Sequence, residues 1–163
     1  MYPYKKKSKK SVIDFIWKDL STHDFPKITD REDLFIKTER EFHLLINCSK
    51  SIQRSLGWSG IINSNVFYPD VQALLSDCGE IIKIELEYEA SNFIKHDHSG
   101  RNCDLIISFI RKPEDTLIRG LPVWSFYTEK RNQLVWSLQH DIINNCGIDE
   151  LDYGFSLDES QDD

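Results

Sequence analysis

Residues 67–109 decide the fold: FYPDVQALLSDCGEIIKIELEYEASNFIKHDHSGRNCDLIISF. The stretch holds a Pro-Asp dipeptide, an apolar strand, a turn, a second strand, a short polar segment and a third strand. The second strand, IIKIELEYE (81–89), alternates strictly between apolar and charged residues, as a strand with two different faces does. Its apolar face carries Ile82, Ile84, Leu86 and Tyr88, and its charged face carries Lys83, Glu85, Glu87 and Glu89.

The charged face of this strand is the first functional signal. Glu85, Glu87 and Glu89 repel one another across one face, and acidic residues are poor strand formers. A strand face that is merely solvated would more often mix positive and negative charges. Clustered carboxylate oxygens are the ligands that Mg²⁺ or Mn²⁺ requires, so the pattern predicts a metal site.

A predicted hairpin brings a further carboxylate to this strand. Asp70 precedes the apolar strand at 71–75, and the turn at 76–80 contains Gly79. A hairpin brings the head of its first strand towards the tail of its second. Asp70 is therefore expected to converge with Glu85 and Glu87, and we predict these three residues as the catalytic and metal-binding set.

The acidic residues also form a pattern known from one group of enzymes. Pro69-Asp70, a spacer of fourteen residues and Glu85-Leu86-Glu87 together resemble the split motif of the PD-(D/E)xK nuclease superfamily. The resemblance implies that Asp70 and Glu85 hold the metal. The third motif position is usually Lys, whereas this chain carries Glu87, a departure that some restriction enzymes of the superfamily share.

A longer string resembles a bacterial group of such nuclease-like proteins, which read roughly FPD…IEFEY.S.NF..HGH…CDLIVCW. The matching residues outside the acidic core are Ser91, Asn92, His96, His98 and Asp104. The resemblance implies that they bind substrate phosphate or orient the metal ligands. Solvated or capping histidines, and a turn-closing role for Asp104, are the alternatives.

A long helix is predicted before the first strand. Thr29 and Glu32 are spaced as a capping box, apolar residues recur at helical spacing to Leu56, and Gly57 follows as a stop. Glu39 lies on the apolar edge of this helix. Many superfamily members carry an acidic residue there, so Glu39 is a weaker candidate for the metal site, with a surface ion pair as the alternative. His43 faces away from the apolar stripe and is expected to be solvated.

The remaining elements complete an α/β pattern. Strands are predicted at 58–63, 104–110 and 121–127, and helices at 11–20 and 128–144. We expect a basic disordered tail (1–10), one nuclease-like domain (11–148) and a flexible acidic tail (149–163). The predicted fold is an α/β domain with a restriction-endonuclease-like core, that is, a central mixed β-sheet flanked by helices.

The charge balance bears on the partner. The chain of 163 residues has a net charge of −7, with five lysines in residues 1–10 and seven acids in residues 149–163. The body between them keeps 15 basic and 20 acidic residues, a net charge of −5. This balance argues against tight non-specific DNA binding. No apolar run is long enough to span a bilayer, and the polar start resembles no signal peptide, so a cytoplasmic location without membrane contact is expected.

The function that these features predict is Mg²⁺-dependent (or Mn²⁺-dependent) hydrolysis of DNA phosphodiester bonds by an endonuclease. DNA is the expected partner, and a homodimer is an allowed assembly. The alternative is a catalytically inactive relative that keeps the fold as a nucleic-acid- or protein-binding regulatory module. The missing motif Lys and the acidic body favour that alternative. A third class, a structural domain without any nucleic-acid role, also stays open.

Overall fold

The computed structural model describes residues 25–64, 69–96 and 103–144, which form a mixed α/β domain. The strands are β1 (Ile28–Thr29), β2 (Trp58–Ser64), β3 (Val71–Leu75), β4 (Ile81–Glu89), β5 (Leu105–Arg111), β6 (Leu117–Ile118), β7 (Leu121–Lys130) and β8 (Gln133–Trp136). The helices are α1 (Glu39–Cys48), α2 (Lys50–Ser55), α3 (Asn92–Lys95) and α4 (Leu138–Asn144). Within these ranges no helix has the length and apolar character needed to cross a membrane.

The strands form one mixed sheet in the order β1-β8-β7-β5-β4-β3-β2, with β6 paired to β7. β2, β3 and β4 are an antiparallel meander, and β4, β5 and β7 run parallel to one another. The connection from β4 to β5 contains the short helix α3, as a parallel pair requires a crossover. The predicted central mixed sheet with flanking helices is therefore confirmed.

The two faces of the sheet carry separate cores. The face of Ile84 and Leu86 is covered by a large apolar cluster. It includes Phe42 of α1 and the fully buried Trp58 of β2. On the opposite face, which also carries Glu85 and Glu87, a smaller cluster gathers around Phe93 of α3. β4 is thus covered on both sides, which explains why two of its glutamates are removed from water.

The hairpin that the sequence predicted is present. β3 and β4 have the predicted bounds, and Gly79 in the turn between them adopts a φ of +71°. Residues with side chains rarely adopt this left-handed conformation, so glycine suits the position. Val71 pairs with Ile84, which places Asp70 beside the second half of β4.

The predicted start of the long helix is wrong. Residues 31–33 form a single 3₁₀ turn, and α1 begins only after Thr38, whose hydroxyl accepts a hydrogen bond from the N–H of Glu41 at 3.1 Å. The chain between is neither helix nor strand, and it buries Leu34 and Ile36 while Phe35 is exposed. Ser49 then interrupts the helix and caps α2 through the N–H of Ile52.

The predicted helix over 128–144 is also wrong in its first half. Residues 128–130 extend β7, and a two-residue turn at Arg131 and Asn132 leads into β8. Both turn residues have positive φ, 49° and 67°, the conformation that joins hairpin strands most tightly. Leu134 and Val135 therefore belong to a strand, and helix α4 covers only the end of the predicted range.

A buried ion pair ties α4 to the sheet. Asp141 is fully buried and accepts hydrogen bonds from Nε and Nη2 of Arg111, both at 2.9 Å, and from the N–H of Ser125 at 2.8 Å. Arg111 in turn donates to the carbonyls of Lys112 and Pro113. The pair links β5, β7 and α4 through one carboxylate.

We predict that Asp141→Asn lowers the free energy of unfolding by about 3–5 kcal/mol, because it leaves the Arg111 charge buried without its counter-charge. Glu129→Gln is the matched control, since Glu129 forms a similar two-bond contact with Arg31 at a half-exposed site. That variant should lose no more than about 1 kcal/mol. Urea unfolding measures both, and equal losses would contradict the prediction.

Candidate metal site

The candidate site lies at the N-terminal end of β3, beside the part of β4 that extends past it. Val71 is the first residue of β3 and pairs with Ile84, so β3 offers no partner to the backbone N–H and C=O of Leu86. The Asp70 carboxylate accepts a hydrogen bond from the N–H of Leu86 at 2.9 Å. The carbonyl of Leu86 lies 3.3 Å from Nε2 of His43, on α1. Side chains from two other elements thus replace the missing strand at this point.

Asp70 and Glu85 are in direct contact. The N–H of Asp70 donates to Oε1 of Glu85 at 3.1 Å, so the two carboxyl groups are close neighbours and influence each other's charge. Both residues are almost fully buried. Burial and the Asp70 charge raise the pKa of Glu85 to about 8, and burial likewise raises the pKa of Asp70. At neutral pH the pair therefore carries a proton, because burial and the Asp70 charge both favour the neutral form of Glu85.

Glu87 is the next residue on the same face of β4 and is completely buried. Its Oε2 lies 3.3 Å from Nδ1 of His96, which follows α3. Its Oε1 has no hydrogen-bond partner among the described residues. Burial raises the pKa of Glu87 to about 9, with the charges of Glu39, Glu85 and Asp70 acting in the same direction. A charged Glu87 is thus costly unless a proton or a cation neutralises it.

Two residues of α1 complete the group. Glu39 is the first residue of the helix, and Nε2 of His43 lies 3.7 Å from Oε2 of Glu39 and 3.8 Å from Oδ2 of Asp70. The weaker sequence candidate Glu39 is therefore part of the cluster. The expectation that His43 is solvated is wrong, because its ring is half-buried between the helix and β4. Its spacing of four residues from Glu39 was the available signal, since such residues share one helix face.

The carboxylates of Glu39 and Glu87 and the imidazole of His96 form the tightest potential ligand set. One ligand atom from each lies within 4.8 Å of the other two. The three side chains come from α1, β4 and the end of α3, so they approach from different directions. Carboxylate oxygens with one imidazole nitrogen are a donor set that divalent cations accept.

The other residues singled out in the sequence have different positions. Asp104 is exposed and accepts a hydrogen bond from the N–H of Lys83, which extends the β4–β5 ladder and agrees with its turn-closing alternative. Ser91 and Asn92 are half-buried at the start of α3, where Ser91 forms no side-chain capping bond. His98 lies outside the described residues. Glu89, the third carboxylate of β4, is paired with Arg31 instead of joining the cluster.

Comparison with known proteins adds no family or function to this geometry. No protein-family model, no curated protein and no solved structure matches the chain. What the cluster does is therefore inferred from its own side chains.

The raised pKa values of Glu85 and Glu87 predict a pH dependence of stability. Between the ordinary value of 4.5 and the values of about 8 and 9, the folded protein binds more protons than the unfolded chain. Without metal, these two residues therefore make stability fall as the pH rises from about 5 to 9. Glu87→Gln cannot ionise and should be more stable than the wild type at pH 9 by on the order of several kcal/mol, yet similar at pH 5.

Urea unfolding in EDTA across this pH range measures the effect. Glu89→Gln is the matched control, because Glu89 lies on the same strand face but is partly exposed and paired with Arg31. Its stability curve should run parallel to that of the wild type. A Glu87→Gln curve that is also parallel would show that Glu87 is not held in its protonated form.

Proposed function

We propose that this protein is a metal-dependent nuclease that hydrolyses DNA phosphodiester bonds. The observation that carries the proposal is the burial of Asp70 and Glu85 side by side at the start of β3, where the N–H of Asp70 donates to the Glu85 carboxylate. A structural role gives no reason to bury two carboxyl groups against each other, since well-packed apolar residues would be at least as stable. A site that exchanges the bound proton for a divalent ion gives such a reason.

The residues present fit Mg²⁺ or Mn²⁺. Asp70 and Glu85 supply hard carboxylate oxygens, which are the ligands that both ions prefer. The unpaired Oε1 of Glu87 is a further oxygen without a partner among the described residues. When bound, the ion would polarise the scissile phosphate and lower the pKa of a water molecule.

The chain's own groups then have separate tasks. Asp70 and Glu85 would hold the ion, and the hydrogen bond from the N–H of Leu86 fixes the orientation of Asp70. Once a bound ion has displaced its own proton, Glu87 could accept a proton from the attacking water. His96, whose side chain is 44% exposed, can reach a substrate phosphate while its Nδ1 faces Glu87.

The sequence resemblance supports the same interpretation. The PD…ExE pattern of a PD-(D/E)xK nuclease falls on the three carboxylates at 70, 85 and 87, and the acidic residue on the preceding helix corresponds to Glu39. The resemblance to the restriction-endonuclease core also concerns the order of elements. A helix is followed by antiparallel strands, a short helix and a parallel strand.

The alternative is an inactive relative that binds metal or nucleic acid without turnover. Glu87 stands where the motif usually has Lys, so no ammonium at this position stabilises the developing negative charge. The net charge of −5 over residues 11–148 also opposes non-specific DNA binding. Metal binding without cleavage of any nucleic acid would favour this alternative.

Asp70→Asn and Glu85→Gln are each predicted to abolish Mg²⁺-dependent cleavage, because each removes a carboxylate ligand of the ion. Their melting temperatures should stay equal or rise slightly, since each change removes a buried ionisable group from the metal-free site. A plasmid-nicking assay and thermal unfolding measure both effects. Glu89→Gln should cleave like the wild type, and unchanged cleavage by both site variants would refute the assignment.

Glu87→Lys restores the usual motif residue, but we predict loss of activity. An ammonium a few ångströms from a divalent ion changes the local interaction by on the order of several kcal/mol, even at an effective dielectric near 20. Calorimetric titration of Mn²⁺ should therefore show a steep fall in affinity. Equal Mn²⁺ affinity in wild type and variant would place Glu87 outside the field of the ion. Increased nicking would show that the natural protein is a nuclease that has lost its lysine.

A further inference from the structure

The carboxylate cluster contains two sets of ligands. Asp70 and Glu85 bond to each other and to backbone groups of β3 and β4. The set of Glu39, Glu87 and His96 includes an imidazole, which comes from the end of α3. Glu39 links the two sets, because His43 stands between it and Asp70 at 3.7 and 3.8 Å.

We propose that Glu39, Glu87 and His96 form a transition-metal site of their own, which takes Zn²⁺ or Co²⁺ in preference to Mg²⁺. The inference goes beyond hydrolysis, since it concerns the binding of metal alone. It also changes the role of His96 from contact with substrate phosphate to direct ligation.

The distances suit a small cation. An ion bound at about 2.0–2.2 Å keeps tetrahedral ligand atoms roughly 3.3–3.6 Å apart. Nδ1 of His96 and Oε2 of Glu87 are already 3.3 Å apart, and all three ligand atoms lie within 4.8 Å of one another. Closing the remaining gap requires only rotation of the Glu39 and His96 side chains, which are 41% and 44% exposed and therefore have room to turn.

Glu87 provides the independent reason to expect an ion. Its carboxyl group is 0% exposed, and Oε1 has no hydrogen-bond partner among the described residues. Ser108 is paired with Glu87 in register on β5, and its buried hydroxyl likewise has no partner in this part of the chain. Buried polar atoms without partners are rare and often mark an ion or a water molecule. A cation held by Glu87 would satisfy the oxygen and neutralise its charge.

The donor types set the selectivity. Imidazole nitrogen suits Zn²⁺ and the later divalent transition metals such as Co²⁺, whereas Mg²⁺ prefers an all-oxygen environment and gives up its water reluctantly. The Asp70–Glu85 pair offers oxygens only. The two sets should therefore differ in metal preference, with the His96 set favouring transition metals. Three protein ligands also leave a coordination position open for water or an anion.

The test is a titration of the tag-free protein with Co²⁺, followed by visible absorption and then by competition with Zn²⁺ and Mg²⁺. We expect wild-type protein to bind Co²⁺ with absorption bands typical of nitrogen ligation. Zn²⁺ should displace the Co²⁺, while a hundredfold excess of Mg²⁺ should not. Failure of the wild type to bind Co²⁺, or displacement by equimolar Mg²⁺, would overturn the inference.

Variants show which residues hold the ion. His96→Gln and Glu39→Gln should each weaken Co²⁺ binding at least about tenfold. Removing a residue that only orients a metal ligand already lowers metal affinity about tenfold or more, and removing the ligand itself should lower it at least as much. Asp70→Asn should change it by less than about threefold, because Asp70 lies in the other set. His140→Gln, at a 65% exposed histidine beside the buried ion pair, is the matched control and should bind like the wild type.

Two outcomes contradict the assignment directly. Wild-type affinity in His96→Gln would exclude histidine ligation and leave a proton shared between Glu87 and His96 as the explanation of their contact. Equal losses in Asp70→Asn and His96→Gln would show one shared site instead of two. Far-UV circular dichroism confirms that each variant is folded. If the wild type cleaves no nucleic acid, the proposed nuclease activity is refuted. The Co²⁺ titration still tests the metal site, because it does not depend on cleavage.

Discussion

The structure depends on how it neutralises carboxyl groups that it has removed from water. Glu85 and Glu87 alternate with apolar residues on a strand that is covered on both faces, and Asp70 meets them at the end of β3. Each ionised group would cost several kcal/mol in such a place unless a counter-charge offsets it. The histidines at 43 and 96 contact the cluster, but their rings lie at its margin. A proton or a metal ion must do the rest.

The sheet makes this arrangement unavoidable once the chain has folded. β4 is hydrogen-bonded to β3 on one side and to β5 on the other, so its glutamates cannot turn towards solvent without breaking the ladder. The register of the hairpin places Asp70 against the second half of β4, where β3 leaves a gap. α1 fills that gap with His43 and brings Glu39 along one helical turn away. On the proposed function, this local loss of stability is what a preorganised set of metal ligands requires.

The sequence predicted the part of this site that depends on local rules. The period of two in IIKIELEYE placed Glu85 and Glu87 on one face, and Gly79 marked the hairpin that brings Asp70 to them. The same rule could not show that Glu89 stays outside the cluster. Glu89 pairs with Arg31, which is distant in sequence. His43 was missed for a similar reason, since its partner is a backbone carbonyl exposed only where β3 ends.

The two errors in secondary structure have physical causes of the same kind. Thr29-x-x-Glu32 and Thr38-x-x-Glu41 both fit a capping box, and burial of Leu34 and Ile36 against the sheet selects the second. Leu134 and Val135 fit a helical stripe as well as a strand, and pairing with β7 and β1 decides for the strand. Tertiary contacts overrode local preference in both places.

The central claim, that the buried carboxyl groups exchange protons for a divalent cation, can be tested by counting protons. Calorimetric titration of Mn²⁺ at pH 7 in two buffers of different ionisation enthalpy measures the protons released per ion bound. Since Glu85 and Glu87 hold their protons up to about pH 8 and 9, binding should release about one proton or more, and the release should vanish near pH 10. Binding at pH 7 without proton release, or no binding at all, would contradict the account.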